Sequence, residues 1–147
     1  MKINVLLSAF LIILFASCTD KSGFEIESGD NWPVYLGGNN SAQYSSLQQI
    51  NSSNIHKLEK AWEYSTGDFE ENDRTQIQCN PIIIDGIMYG TSPKLKAFAL
   101  DAATGTELWK FDPQENISNF GFNVNRGVSY WQSGNDKRIL YTAGSNL

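Results

Sequence analysis

Ala99-Leu100-Asp101-Ala102-Ala103-Thr104-Gly105-Thr106-Glu107-Leu108-Trp109 has the form A-x-D-x-x-x-G-x-x-x-W and stands between two runs that read as short β-strands. Asp101 to Gly105 reads as a turn, with Gly105 suited to a positive φ. The strand after it carries Trp109, a large flat side chain that needs a deep apolar partner surface and an acceptor for its indole N–H. One small antiparallel sheet offers no such surface, whereas a second sheet packed against it does. The same residues also fit an ordinary hairpin with an aromatic in its second strand, so the flanking sequence has to discriminate.

Four short strands are predicted around this motif. Pro81 to Asp85 is an apolar run, Asp85-Gly86 is a strong hairpin turn, and Ile87 to Thr91 is the second strand. Ser92-Pro93-Lys94 turns the chain, Leu95 to Leu100 is the third strand, and Glu107 to Phe111 is the fourth. Four antiparallel strands of this length with tight turns have the layout of one β-propeller blade. Ile82-Ile83-Ile84, apolar on both faces, suits the innermost strand of such a blade.

A second copy starts downstream. Ile87-Met88-Tyr89 to Leu95 aligns without gaps on Ile139-Leu140-Tyr141 to Leu147, an offset of 52 residues (139 − 87). Gly127 to Trp131 aligns on Pro81 to Asp85 at an offset of 46 (127 − 81), and the difference is read as a longer hairpin loop around Gln132 to Lys137. Blades of known propellers recur at about 40–50 residues. The expected fold is therefore all-β, with one complete blade and the start of the next. On this reading Leu147 falls at the start of a third strand, and residues 31–147 form the N-terminal part of a truncated propeller domain. One blade buries too little to offset an ordering cost of about 1.5 kcal/mol per residue, so the chain alone is expected to be marginal and inactive.

The first 30 residues read differently. Lys2, the apolar run Val5 to Phe15 and the following Ala16-Ser17 form an export signal over residues 1–17, too short to span a bilayer comfortably. Small residues directly before Cys18 fit a lipoprotein processing site, with a plain cleaved signal as the alternative. Lipid on Cys18 would hold the protein at a membrane surface on the periplasmic side without spanning it, and residues 18–30 would be a polar tether. Pro33 then imposes an edge strand or irregular segment. Ile50 to Lys60 reads as a short helix or extended turn, Ala61 to Ser65 as a strand, and Phe69 to Thr75 as an acidic loop.

The net charge of −5 argues against nucleic acid as a partner. The only cysteines are Cys18 and Cys79, so a lipidated Cys18 leaves no disulfide, and Cys79 is expected to be a small buried residue. With His56 as the sole histidine, neither a Cys/His metal cluster nor a Ser-His-Asp device can form.

In a propeller, residues just before the innermost strands gather at one mouth of the central channel. Here these are Gln78-Cys79-Asn80 and Val124-Asn125-Arg126. The Arg126 guanidinium can fork onto a carboxylate through charge-assisted hydrogen bonds of about 1.5–3 kcal/mol each. Gln78 offers both a donor and an acceptor. The alternative is that Arg126 pairs with an acidic side chain and Gln78 bonds a loop.

From Trp32 onward the chain resembles the quinoprotein dehydrogenases, eight-bladed β-propellers that hold pyrroloquinoline quinone (PQQ). The resemblance rests on Trp32-Pro33-Val34-Tyr35 with Gly37-Gly38, on Ala61-Trp62-Glu63-Tyr64-Ser65-Thr66-Gly67-Asp68, and on Gln78-Cys79-Asn80-Pro81. It rests also on Asn125-Arg126-Gly127-Val128-Ser129-Tyr130-Trp131, and Ala99, Asp101, Gly105 and Trp109 resemble that family's tryptophan docking motif. The resemblance implies that Arg126 and Gln78 contact PQQ, and that Ca²⁺ ligands and the catalytic aspartate lie beyond Leu147. Gln78 stands where alcohol-oxidising members often have Glu, and Phe120-Gly121 where methanol-type members have two adjacent cysteines. Both departures favour the sugar or polyol branch. The implied activity is oxidation of a sugar or alcohol, with electrons passing to a membrane quinone or a cytochrome. A non-catalytic propeller lipoprotein serving as a scaffold in outer-membrane assembly is the alternative, and a fragment without function is the third reading.

Overall fold

The computed structural model describes residues 29–38, 40–68, 71, 76–115 and 124–144. The export signal, Cys18, most of the tether, Phe120-Gly121 and Leu147 lie outside the described residues.

Six strands form two sheets. β1 (Ile82–Ile84), β2 (Ile87–Thr91), β3 (Ala97–Asp101) and β4 (Glu107–Phe111) make an antiparallel sheet in the order β1-β2-β3-β4. β5 (Ser129–Ser133) and β6 (Asp136–Leu140) make a separate antiparallel hairpin. Asp85 and Gly86 both take positive φ, 52° and 76°, the paired left-handed geometry of a type I′ turn. That turn closes the register Ile84↔Ile87 and sets every later pair between β1 and β2. Between β3 and β4, Ala99 faces Trp109 and Leu100 faces Glu107, so Leu108 is the extra residue of a bulge.

The four-stranded sheet is covered on both faces. On one, buried Ile82 and Ile84 pack with Val128, and Tyr89, Tyr130, Ile139 and Tyr141 close around them. This is the contact between the first sheet and the β5–β6 hairpin, and it joins two repeats face to face. The Tyr141 hydroxyl finds no hydrogen-bond partner among the described residues, and burial pushes its pKa up to about 12. On the other face, the chain from Trp62 to Thr66 lies over Met88, Gly90, Phe98 and Leu100, with the Tyr64 and Phe98 rings 5.2 Å apart. The Trp32 backbone exchanges two hydrogen bonds with Ile83, of 2.8 and 2.9 Å, on the free edge of β1.

Two expectations are corrected. The offset between the repeats grows from 46 to 52 because the β5–β6 hairpin has longer strands, not a longer loop. Tyr130↔Ile139 occupies the place of Ile84↔Ile87, and three further pairs, Trp131↔Arg138, Gln132↔Lys137 and Ser133↔Asp136, carry the hairpin out to its tip. Ala61 to Ser65 is not a strand: its side chains do alternate between exposed and half-buried, but through packing on a sheet face without a backbone ladder. The Ile50 to Lys60 region contains one 3₁₀ turn, Ile55–Lys57. Around Pro33 the chain is irregular, as proline requires.

Asp68 fastens the N-terminal segment to the sheet. Its carboxylate is 1% exposed and accepts from the Ser92 hydroxyl and the Lys94 backbone N–H, the latter at 3.2 Å. Lys96 Nζ lies 3.8 Å from the other carboxylate oxygen and 3.0 Å from Asp112.

Candidate functional site

The turn of the docking motif is built by Asp101. Its Oδ1 accepts from the N–H groups of Ala103 and Thr104, at 3.0 and 2.8 Å, and from the Thr104 hydroxyl at 2.9 Å. The Thr104 hydroxyl bond is the leading cause of a carboxyl pKa held below its ordinary value. Gly105, at φ 72°, closes the turn by donating its N–H to the Asp101 carbonyl at 2.8 Å. A side chain at 105 would also collide with a neighbour, since a Cβ there would stand 2.5 Å from the Trp62 ring. Trp62 lies flat on the turn and donates its indole N–H to the Ala102 carbonyl at 3.2 Å. Sequence reasoning missed this contact; its signal is a tryptophan paired with a glycine that has no room for Cβ. Trp109 sits across from fully buried Ala99, on the face shared with Tyr89, whose ring is 6.1 Å away. It keeps 40% of its surface exposed, so its docking surface is not supplied by the described residues.

The two strand entrances meet side by side. Asn80 and Gly127 form a parallel bridge, in which the Asn80 N–H donates to the Arg126 carbonyl at 2.9 Å. The Asn80 side-chain amide lies 3.5 Å from both the Gln78 and the Arg126 carbonyl oxygens. Gly127 permits this approach, because a Cβ there would meet the Asn80 carbonyl at 3.0 Å. The expected convergence of Gln78 and Arg126 is thus present in the backbone.

Both side chains are unspent. The Arg126 guanidinium is exposed, and no carboxylate pairs with it among the described residues. Gln78 is half-buried, and its amide makes no hydrogen bond there. A planar cation beside a neutral amide at one mouth suits a planar acidic ligand bearing carboxylates, which is the chemistry of PQQ. Cys79 between them is half-buried, not buried as expected, and its Sγ accepts the Thr91 N–H at 3.2 Å. Its ring of neighbours is incomplete because the strand entrance opens toward the mouth. A pocket of about 500 Å³ lies nearby between β1 and the segment from Gly29 to Leu47, with Asn80 and Pro81 in its wall. Neither Gln78 nor Arg126 lines it. No group of three or more His, Cys, Asp or Glu gathers among the described residues.

Residues 32–147 match the family described as PQQ glucose/ethanol/alcohol dehydrogenase, β-propeller domain. The dehydrogenase subunit of a quinone-dependent alcohol dehydrogenase from Gluconobacter oxydans is 40% identical over 134 residues, covering 84% of this chain and 17% of that protein. A quinoprotein glucose dehydrogenase from Escherichia coli is 34% identical over 124 residues, covering 82% and 16%. Among solved structures, a quinohemoprotein alcohol dehydrogenase from Pseudomonas putida superposes with a TM-score of 0.59 at 34% identity, covering 71% of this chain and 15% of that one. The chain spans less than a fifth of the length of each. The order of strands, the paired entrances and this match together place the chain in the PQQ-dependent dehydrogenase β-propeller family, in a region that alcohol and glucose quinoprotein dehydrogenases share.

Proposed function

We propose that the chain is a portion of a longer PQQ-dependent dehydrogenase that oxidises a CH–OH group of a sugar or alcohol and delivers the electrons to a membrane quinone or a cytochrome. The observation that carries this reading is the parallel bridge between Asn80 and Gly127, which sets the uncommitted side chains of Gln78 and Arg126 at one mouth. The names of the relatives support the substrate class. The neutral amide at position 78 supports a sugar or polyol over methanol.

When bound, PQQ supplies a quinone carbonyl that takes a hydride from the substrate carbon. Arg126 binds and orients the carboxylate edge of the cofactor through a two-pronged contact. Gln78 donates or accepts one hydrogen bond at the neighbouring edge and fixes rotation in the plane. Ca²⁺ and the proton-accepting carboxylate belong, on this reading, to segments other than the described residues. Trp109 docks on a further blade of the same ring. Residues 1–17 direct export, and lipid on Cys18 anchors the protein at the periplasmic face of a membrane. Membrane fractionation of the wild-type and Cys18→Ser proteins checks the anchor, which is refuted by equal retention of both.

The complete protein is expected to show saturable quenching of tryptophan fluorescence on titration with PQQ. With Ca²⁺ present it is expected to reduce an artificial electron acceptor when given glucose, a polyol or ethanol. The 147-residue chain under the same assay is expected to turn nothing over. Absence of quenching by the complete protein would favour the scaffold reading.

A further inference from the structure

The polar network behind the mouth is more than a loop anchor. Asn125 precedes Arg126 directly, and its residue is 7% exposed. Its Oδ1 accepts the Gly127 N–H at 2.7 Å and the Thr91 hydroxyl at 3.4 Å, and its Nδ2 donates to the Thr142 carbonyl at 2.9 Å. Thr91 is 2% exposed and ends β2, and its own N–H donates to Cys79 Sγ. One buried amide therefore ties the end of the first sheet to the entrance and exit of the second hairpin. Arg126 is gripped from both sides, by Asn125 within its own segment and by Asn80 across the bridge. Its side chain has no partner among the described residues to aim it, so its direction is inherited from this backbone.

We propose that Asn125 is a positioning residue: its amide locks the register between the two repeats and thereby points the Arg126 guanidinium at the acidic edge of the cofactor. Both donors and both acceptors of the network are needed because a buried amide left half-satisfied favours rearrangement. Serine at 125 keeps an acceptor for Gly127 but cannot reach Thr142. Valine at 91 keeps the shape of threonine and removes only the hydroxyl. The inference rests on the reading of Arg126 as a PQQ ligand.

The test is a double-mutant cycle in the complete protein, read as the PQQ dissociation constant from fluorescence quenching of the apoprotein, with urea midpoints recorded in parallel. Asn125→Ser is expected to weaken PQQ binding about tenfold, and Thr91→Val by a smaller factor in the same direction. In an Arg126→Ala background neither substitution is expected to weaken binding further, because the group they aim is gone. A purely structural role predicts lower urea midpoints with unchanged affinity of the folded protein, and that result overturns the proposal. So does an equal loss with and without Arg126. If Asn125→Ser does not fold, Thr91→Val alone decides between these outcomes. If Arg126→Ala itself leaves affinity unchanged, the reading of the site has failed; if it weakens binding while Asn125→Ser and Thr91→Val do not, only the positioning role has.

Discussion

Arg126→Ala in the complete protein is expected to weaken PQQ binding by about 10- to 100-fold and to leave the urea midpoint of the apoprotein unchanged. The two halves of this expectation have separate causes. The guanidinium is exposed and pairs with no carboxylate among the described residues, so its removal breaks nothing inside the fold. Its backbone carbonyl, which accepts from Asn80, survives the substitution. Toward a carboxylate-bearing ligand, the lost forked contact is worth about 1.5–3 kcal/mol per charge-assisted hydrogen bond. Arg126→Lys keeps the charge and loses the planar fork, so its affinity should fall between the two. Raising the salt concentration should weaken the wild type more than the alanine variant. Equal affinity of wild type and Arg126→Ala would make this arginine an ordinary surface cation.

Asp68→Ala is expected to destabilise the protein by about 2–4 kcal/mol, measured as a fall in the urea midpoint at constant slope. The carboxylate is the anchor of the N-terminal segment on the β2–β3 turn. Removing it takes the acceptor from the Ser92 hydroxyl and from the Lys94 N–H, in a site that is almost closed to water. Lys96 keeps Asp112 at 3.0 Å, so the charge lost by Asp68 is not fully stranded, and the estimate stays below that for a wholly buried ion pair. Asp68→Asn preserves a carbonyl acceptor for both donors and should cost less than half as much. A change of under about 0.5 kcal/mol for the alanine variant would show that the segment is held by Trp62 and Tyr64 alone.

These polar anchors were hidden in the sequence, while the ladder was not. β2 and β4 fall where alternation and turn chemistry put them, and Asp85-Gly86 alone specifies its hairpin. The convergence of Gln78 and Arg126 could be foreseen because the repeat offset of 46 residues is also the separation of Asn80 and Arg126, now joined by a hydrogen bond. By contrast, Asp68 to Ser92 spans 24 residues and Thr91 to Asn125 spans 34, and no local pattern announces such pairs. The chain from Ala61 to Ser65 misleads because alternating burial arises equally from lying on a sheet and from belonging to one. Gln132 to Lys137 misleads in the opposite way: a projecting two-stranded arm needs no apolar face, so its polar residues read as loop. Arg138 stacking 5.4 Å over Trp131 and Lys137 pairing with Asp85 at 3.1 Å hold that arm instead.

The lengthened β5–β6 hairpin gives the unit two unequal poles. Three added rungs carry the tip about 10 Å past the level of the Asp85-Gly86 turn, away from the end where Asn80 and Gly127 meet. Inserted or deleted pairs at that tip leave the strand entrances in place, because the register below Tyr130↔Ile139 is unaltered. Related proteins are thus free to vary in reach and charge at one pole while the other stays invariant, and a graft between Gly134 and Asn135 would extend the molecule without disturbing its cofactor end.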